Sequence, residues 1–255
     1  MRPEPIIETR DLSIRFGGHV AVDGLNLSVA PFVLKSIIGP NGAGKTTLFN
    51  LISGQYAPSS GQIFFNGHDI TNQGVAKRTR AGIGRSFQLT NIFPSLTVLE
   101  NVRLALQAKE NIGRVFWKHY KAYPELEEKA YDFLRQVMLD NRYRADACLL
   151  THGEQRKLEI AILLALDPKV LLLDEPTAGM SLEDVPAILD IIREIKFKRN
   201  RTILLVEHKF DMVMALSDSI AVLQEGRIIC DDTPEAVSNN EQVLCAYLGG
   251  GVKHE

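Results

Sequence analysis

Residues Gly39 to Thr46 read GPNGAGKT, the spacing G-x-x-x-x-G-K-[ST]. A loop of this kind holds phosphate with its backbone. Gly39, Gly42 and Gly44 let the chain turn its N–H groups inward and approach phosphate oxygens closely. Pro40, Asn41 and Ala43 complete the loop, and Thr46 and Thr47 open the next segment. An apolar run, KSII, precedes the loop, and TTLFNLISG comes after it with helical spacing of Leu48, Leu51 and Ile52. That strand–loop–helix context is the one the motif requires. The helix presents its positive N-terminal end to the same anion. Lys45 is placed to reach β- and γ-phosphates, and the Thr46 hydroxyl to ligate Mg²⁺. The bland alternative is a glycine-rich turn that ends in Lys-Thr. In this context the loop implies a nucleoside triphosphate, a ligand that many NTPase classes share.

A second cluster lies in VLLLDE, residues 170–175. Asp174 ends an apolar run, where a carboxylate can hold Mg²⁺ through water. Glu175 can face the γ-phosphate and orient or deprotonate a water, a step worth about 10²–10⁴-fold. The alternative is a strand that ends in a capping Asp-Glu before Pro176. His208 ends the run TILLVEH. It reaches a γ-phosphate only if its strand neighbours the others, as strand ends gather around a ligand in a parallel sheet; otherwise it is structural. The stretch LTHGEQRK, 150–157, permits three readings: an acid–base site, half of a metal site, or a helix start.

These residues need a scaffold, and the pattern along the chain supplies one. Residues 6–30 read as β, with Leu25, Leu27 and Val29 alternating with Asn26 and Ser28. Asn66-Gly67 and Glu225-Gly226 mark hairpin turns between apolar flanks. The run AGIGRSF is another strand, reaching Gln88. From Asn91 to Asp146 the pattern turns helical: Leu99, Val102 and Leu106 recur at helical spacing, with Ser95 or Thr97 as the cap, and Pro124 opens a second helix. After Leu150 helices and strands alternate. KVLLLDE and TILLVEH are continuous apolar strands of the kind buried on both faces of a parallel sheet. VPAILDIIREIK is a helix, and Thr233-Pro234 caps and opens a last one. The fold class is α/β: a nucleotide-binding core, an N-terminal β layer and a helical insert.

The composition fits a large globular domain. Of 255 residues 45% are apolar and 24% charged, and the net charge of −2 gives no basic character for nucleic acid or an anionic membrane surface. The apolar runs AILLAL and KVLLLD are too short to span a bilayer, and MRPEPIIETRD lacks a signal-peptide core. The chain reads as cytosolic. Cys148, Cys230 and Cys245 have no metal-ligand spacing and read as reduced thiols. The segment Asn111–Pro124 interleaves basic and aromatic residues. That composition could suit single-stranded nucleic acid, but it reads first as an amphipathic surface segment with Trp117 and Tyr120 packed inward.

GPNGAGKTT, Gln88 in RSFQLTN, LTHGEQRKLEI, LLLDEP and His208 occur in the order found in ABC-type ATPase domains, and the chain resembles that family along essentially its whole length. GIGRSFQLTNIFPSLTVLENV, DEPTAGM and AYLGG are similar to the ATP-binding subunits of branched-chain amino-acid importers and their urea or amide relatives. The resemblance implies a P-loop NTPase (RecA-like) core with an N-terminal antiparallel β subdomain and an inserted α-helical subdomain. Within the single domain 1–255, residues 1–88 and 153–255 form the β subdomain and core, and 89–152 the helical subdomain.

The resemblance also implies roles. Phe16 matches the aromatic that stacks on adenine, although its type and place also suit a β-layer core. Gln88 matches the glutamine that senses Mg²⁺ and the attacking water and opens the segment touching the membrane subunits. LTHGE stands in place of the family signature LSGGQ, which covers the triphosphate of the facing subunit in a head-to-tail dimer. Thr151, Gly153, Glu154 and the helix start would then bind ATP in trans, with Glu175, His208 and Gln88 catalytic and Thr46, Gln88 and Asp174 on Mg²⁺. Three departures stand out: Thr151 replaces Ser, His152 replaces Gly, and Ser181 replaces the Asp that communicates across the dimer.

The implied protein is an ATPase that powers an importer for branched-chain amino acids or a related small polar solute. It is peripheral on the cytoplasmic face of the inner membrane. Its partners are a second ATPase subunit, two integral membrane permeases and, indirectly, an extracytoplasmic solute-binding protein, with no nucleic acid. The alternatives are an exporter ATPase for lipid or lipopolysaccharide and a non-transport ABC ATPase.

Overall fold

The computed structural model describes residues 4–86, 92–110 and 124–248. The first half forms β1 (Ile7–Phe16), β2 (His19–Val29), β3 (Leu34–Ile38), α1 (Lys45–Ser53), β4 (Ser60–Phe65), β5 (His68–Asp69), α2 (Val75–Ala81), β6 (Ile83–Arg85) and α3 (Val98–Lys109). The second half forms α4 (Pro124–Gln136), α5 (His152–Ala165), β7 (Val170–Asp174), α6 (Val185–Phe197), β8 (Thr202–Val206), α7 (Phe210–Leu216), β9 (Ser219–Gln224), β10 (Arg227–Asp232), α8 (Pro234–Ser238) and α9 (Glu241–Leu248). The described residues gather into two compact units. One comprises Met1–Ile83, Lys169–Glu175 and Lys196–Glu255; the other comprises Gly84–Pro168 and Pro176–Ile195.

The first unit carries both sheets expected from the sequence, except for Gly84 and Arg85 of β6. One is antiparallel, in the order β2-β1-β4-β5, and the other runs β10-β9-β3-β8-β7-β6. β3, β7 and β8 are parallel and buried throughout, which explains why their sequences are apolar without alternation. Both hairpin turns close on pairs of left-handed residues, Asn66 and Gly67 at φ 48° and 73°, and Glu225 and Gly226 at 49° and 77°. Two consecutive positive φ values are what the tightest hairpin connections demand. Ile7, Leu12, Val22, Leu48, Phe49, Leu51, Ile52 and Leu204 pack into one core between the β layer, α1 and the parallel sheet.

The second unit is helical. Thr97, not Ser95, caps α3: its hydroxyl accepts the Glu100 N–H at 3.2 Å, and the Glu100 carboxylate accepts the Thr97 N–H at 2.9 Å. The bonds that Thr97 donates to the Glu100 carboxylate hold it below its ordinary value. The buried face of α3 is Val98, Val102, Ala105 and Leu106, and Leu99 is half-buried beside it. α4 buries Leu126, Ala130 and Leu134 at four-residue spacing. α5 packs on both α3 and α4 and buries Leu158, Ala161 and Leu164, so it belongs with them in this unit. The division expected from the sequence placed its boundary at 152–153, inside the first turn of α5.

Candidate functional site

Three neighbouring strands of the parallel sheet deliver the chemistry. Ile37 on β3 pairs with Val206 on β8, and Val206 pairs with Asp174 on β7, so the three residues share one rung. The phosphate loop leaves β3 at Gly39, Glu175 comes directly after β7, and His208 lies two residues beyond β8. The sequence placed these groups on separate strands. The sheet order β3-β8-β7 makes their ends adjacent.

The cleft at that edge has a volume of about 330 Å³. Asn41, Gly42, Ala43, Gly44, Lys45, Thr46 and Thr47 line it from the loop, with Glu175 and His208 from the neighbouring strand ends and Phe16, His19 and Ala21 from the β layer. Gly39 and Pro40 anchor the loop from behind. Lys45 Nζ donates to their carbonyls at 2.7 and 2.9 Å. Burial pushes the Lys45 ammonium below its ordinary value, while the charges of Glu175 and Asp174 oppose that fall.

Two loop glycines are dictated by their surroundings as well as by conformation. Gly44 has φ 100°, and a side chain there would strike the Ala21 carbonyl. Gly39 has φ 152°, and a side chain there would strike the Leu223 carbonyl. The loop is thus pressed against the β1–β2 layer and the end of β9, and only a bare Cα fits.

Glu175 has φ 48°, a left-handed conformation that costs a non-glycine residue about 1 kcal/mol or more. Its N–H donates to Val206 O at 2.9 Å, which fixes the sharp turn. The turn brings the Glu175 carboxylate to His208 Nε2 at 2.7 Å. Asp174, one residue earlier, is 1% exposed.

Phe16 is 45% exposed and meets Tyr56 edge-on, with ring centroids 5.3 Å apart. It stands at the cleft wall and takes no part in the β-layer core. His19 and Ala21 line the same wall and carry no motif; only the β1–β2 hairpin brings them there. Gln88 lies outside the described residues, as do Trp117 and Tyr120.

In the helical unit, LTHGEQRK is a capped helix start. Thr151 Oγ accepts the Glu154 N–H at 3.3 Å, and the Glu154 carboxylate accepts the Thr151 N–H at 2.9 Å. The Arg142 guanidinium lies 3.5 Å from the same carboxylate. Glu154 is therefore engaged at the cap. Gly153 is buried, and Thr151 and His152 are exposed. No cluster of three His, Cys, Asp or Glu suited to a metal occurs among the described residues.

A family model described as ABC transporter matches residues 22–178, and one described as branched-chain amino acid ATP-binding cassette transporter matches residues 227–253. The chain belongs to the ABC transporter family. The high-affinity branched-chain amino acid transport ATP-binding protein BraF of Pseudomonas aeruginosa is 38% identical, over 96% of this chain and 98% of that protein. LivG of Escherichia coli, of the same description, is 36% identical over 96% and 98%. The crystal structure of the ADP conformation of MJ1267, an ATP-binding cassette of an ABC transporter, superposes with a TM-score of 0.81 at 32% identity, covering 96% of this chain and 99% of that one.

The cassette is an ATPase that binds and hydrolyses ATP. No helix among its described residues is long and apolar enough to cross a membrane.

Proposed function

We propose that this cassette is the ATP-hydrolysing subunit of an importer for branched-chain amino acids or a related small polar solute. The observation that carries the reading is near full-length similarity to BraF and LivG, together with the branched-chain model over residues 227–253. In this reading Phe16 stacks on adenine, and the N–H groups of the loop 39–47 and Lys45 hold the β- and γ-phosphates. Lys45 then exchanges its contacts to the Gly39 and Pro40 carbonyls for phosphate oxygens. Glu175 orients or deprotonates the attacking water, and His208, already hydrogen-bonded to it, steadies its carboxylate beside the γ-phosphate. Thr46 and Asp174 offer the hard oxygen donors that suit Mg²⁺, which usually takes one or two protein ligands beside phosphate oxygens. Gln88 is the third residue assigned to the ion and the attacking water. Bound there, Mg²⁺ supplies neutralisation of charge on the β- and γ-oxygens.

Thr151, Gly153 and the positive end of α5 cover the triphosphate of a second copy or a paralogous subunit. ATP closes such a dimer, and hydrolysis reopens it. Two integral membrane permeases respond to that cycle on the cytoplasmic face of the inner membrane, and a solute-binding protein delivers the cargo outside.

Purified Lys45→Ala and Glu175→Gln proteins test the assignment. Lys45→Ala loses ATP binding. Glu175→Gln keeps binding, loses turnover by about 10²-fold or more and accumulates as an ATP-bound dimer. Normal ATPase activity from Glu175→Gln overturns it.

A further inference from the structure

Gly153 does not owe its identity to conformation, because its φ lies outside the left-handed region. A neighbour forbids a side chain there. A Cβ on Gly153 would stand 2.8 Å from Asp184 Cγ and 2.9 and 3.1 Å from its carboxylate oxygens. That is well inside the ~3.5 Å of carbon contact. The Asp184 carboxylate is itself held. Ser181 Oγ donates to Oδ2 at 2.8 Å and accepts the Asp184 N–H at 3.3 Å. One residue earlier in α5, the His152 ring rests on the same segment: its Cε1 lies 3.6 Å from where a Gly179 Cβ would be. Two consecutive residues of the first turn of α5 are thus seated on residues 179–184, the peptide that continues from Glu175.

We infer that Asp184 is a positioning residue for ATP hydrolysis. Its carboxylate, oriented by Ser181, holds the first turn of α5 against the segment beyond Glu175. The inference rests on the proposed function, in which that turn meets ATP across a dimer. Ser181 occupies the place where the family carries its communicating Asp. Here the carboxylate stands three residues further on, and the serine orients it. Asp184 touches no substrate. A short carboxylate that accepts from Ser181 Oγ and lies against a bare Cα is a stiff contact, and its charge near the positive end of α5 favours the arrangement.

The test is a double-mutant cycle in the Glu175→Gln background, with Gly153→Ala, Asp184→Ala, the pair together, and Asp184→Asn. Three quantities are measured: ATP affinity of the monomer, ATP-driven dimerisation by sedimentation, and amide exchange at residues 152–155 in nucleotide-free protein. Gly153→Ala and Asp184→Ala each weaken dimerisation by about tenfold, with monomer affinity unchanged. The double variant is no weaker than Asp184→Ala, because the methyl then fills the vacated space. Asp184→Ala speeds exchange at 152–155 by about tenfold, and Asp184→Asn, which keeps the shape and the Ser181 bond, restores most of both properties. Losses that multiply in the double variant, or exchange untouched by Asp184→Ala, overturn the inference. A parent that binds no ATP sinks the functional reading, whereas a parent that dimerises with variants indistinguishable from it sinks the positioning role alone.

Discussion

Lys45 is held by loop carbonyls, which in the proposed function it exchanges for phosphate oxygens. The carbonyls of Gly39 and Pro40 hold its ammonium, and burial lowers its proton affinity. A triphosphate adds negative charge beside it and raises that affinity again. Binding therefore takes up a proton wherever the pH lies above the free-state value of Lys45 and below its bound-state value. ATP affinity should accordingly fall as pH rises through the alkaline range below the ordinary lysine value of 10.5, and titration of a fluorescent ATP analogue at stepped pH checks this. Gly44 gives the second expectation at this scale. Gly44→Ala must place a methyl at φ 100° against the Ala21 carbonyl. Thermal unfolding should show a loss of about 1–3 kcal/mol, and ATP binding should go with it. The motif required a glycine here for its turn; the contact with β2 doubles the requirement.

At the scale of the element, α1 is fixed at both ends. Its N-terminus is the phosphate loop. Its C-terminus is held by Arg78 of α2, which is 1% exposed and donates to the carbonyls of Leu51 and Ile52 at 2.6 and 2.9 Å. The same guanidinium reaches the carbonyls of Gln73 and Thr71. Burial pushes its pKa down to about 10, so it remains a cation at neutral pH, facing the negative end of the α1 dipole. Arg78→Met strips four carbonyls of a charged donor in a buried place. We expect a loss of about 3 kcal/mol, or roughly 6–12 °C in Tm by calorimetry, with nucleotide affinity affected more weakly than stability. The sequence offered no sign of this residue. Arg78 stands with Lys77 and Arg80 in VAKRTRAG, a basic stretch with no motif, and only the packing of α2 on α1 turns it inward.

At the scale of the molecule, the functional reading requires partners that span the membrane, because no described helix does so. Affinity purification of the tagged chain from its native membranes should recover integral membrane permeases and a second ATPase subunit. Recovery with soluble proteins alone would sink the importer reading. The division into units gives this expectation a physical setting. The cleft with Lys45, Glu175 and His208 lies in one unit and the α5 start with Thr151 and Gly153 in the other. The chain passes from the first to the second directly after Glu175. Asp184 lies beyond that crossing, in the same unit as the α5 start that it contacts.

Much of the site was legible in the sequence because its determinants are short-range. The glycine spacing of the phosphate loop, the Asp174-Glu175 pair at the end of an apolar strand, the Asn66-Gly67 turn and the Thr-x-x-Glu caps each depend on a few consecutive residues and their backbone conformations. These local rules hold wherever the segment is placed. The tertiary structure decided what depends on distant neighbours. It set His208 on Glu175 across 33 positions, put Phe16 on the cleft wall and not in the core, and buried Arg78 under α1. It also changed the reason for Gly153. Read in sequence, this is a glycine at an anion-binding helix start; in the fold, it is the residue that leaves room for Asp184. Such contacts arise from the order of strands and the packing of helices, which depend on the whole chain folding at once and leave no local pattern to read.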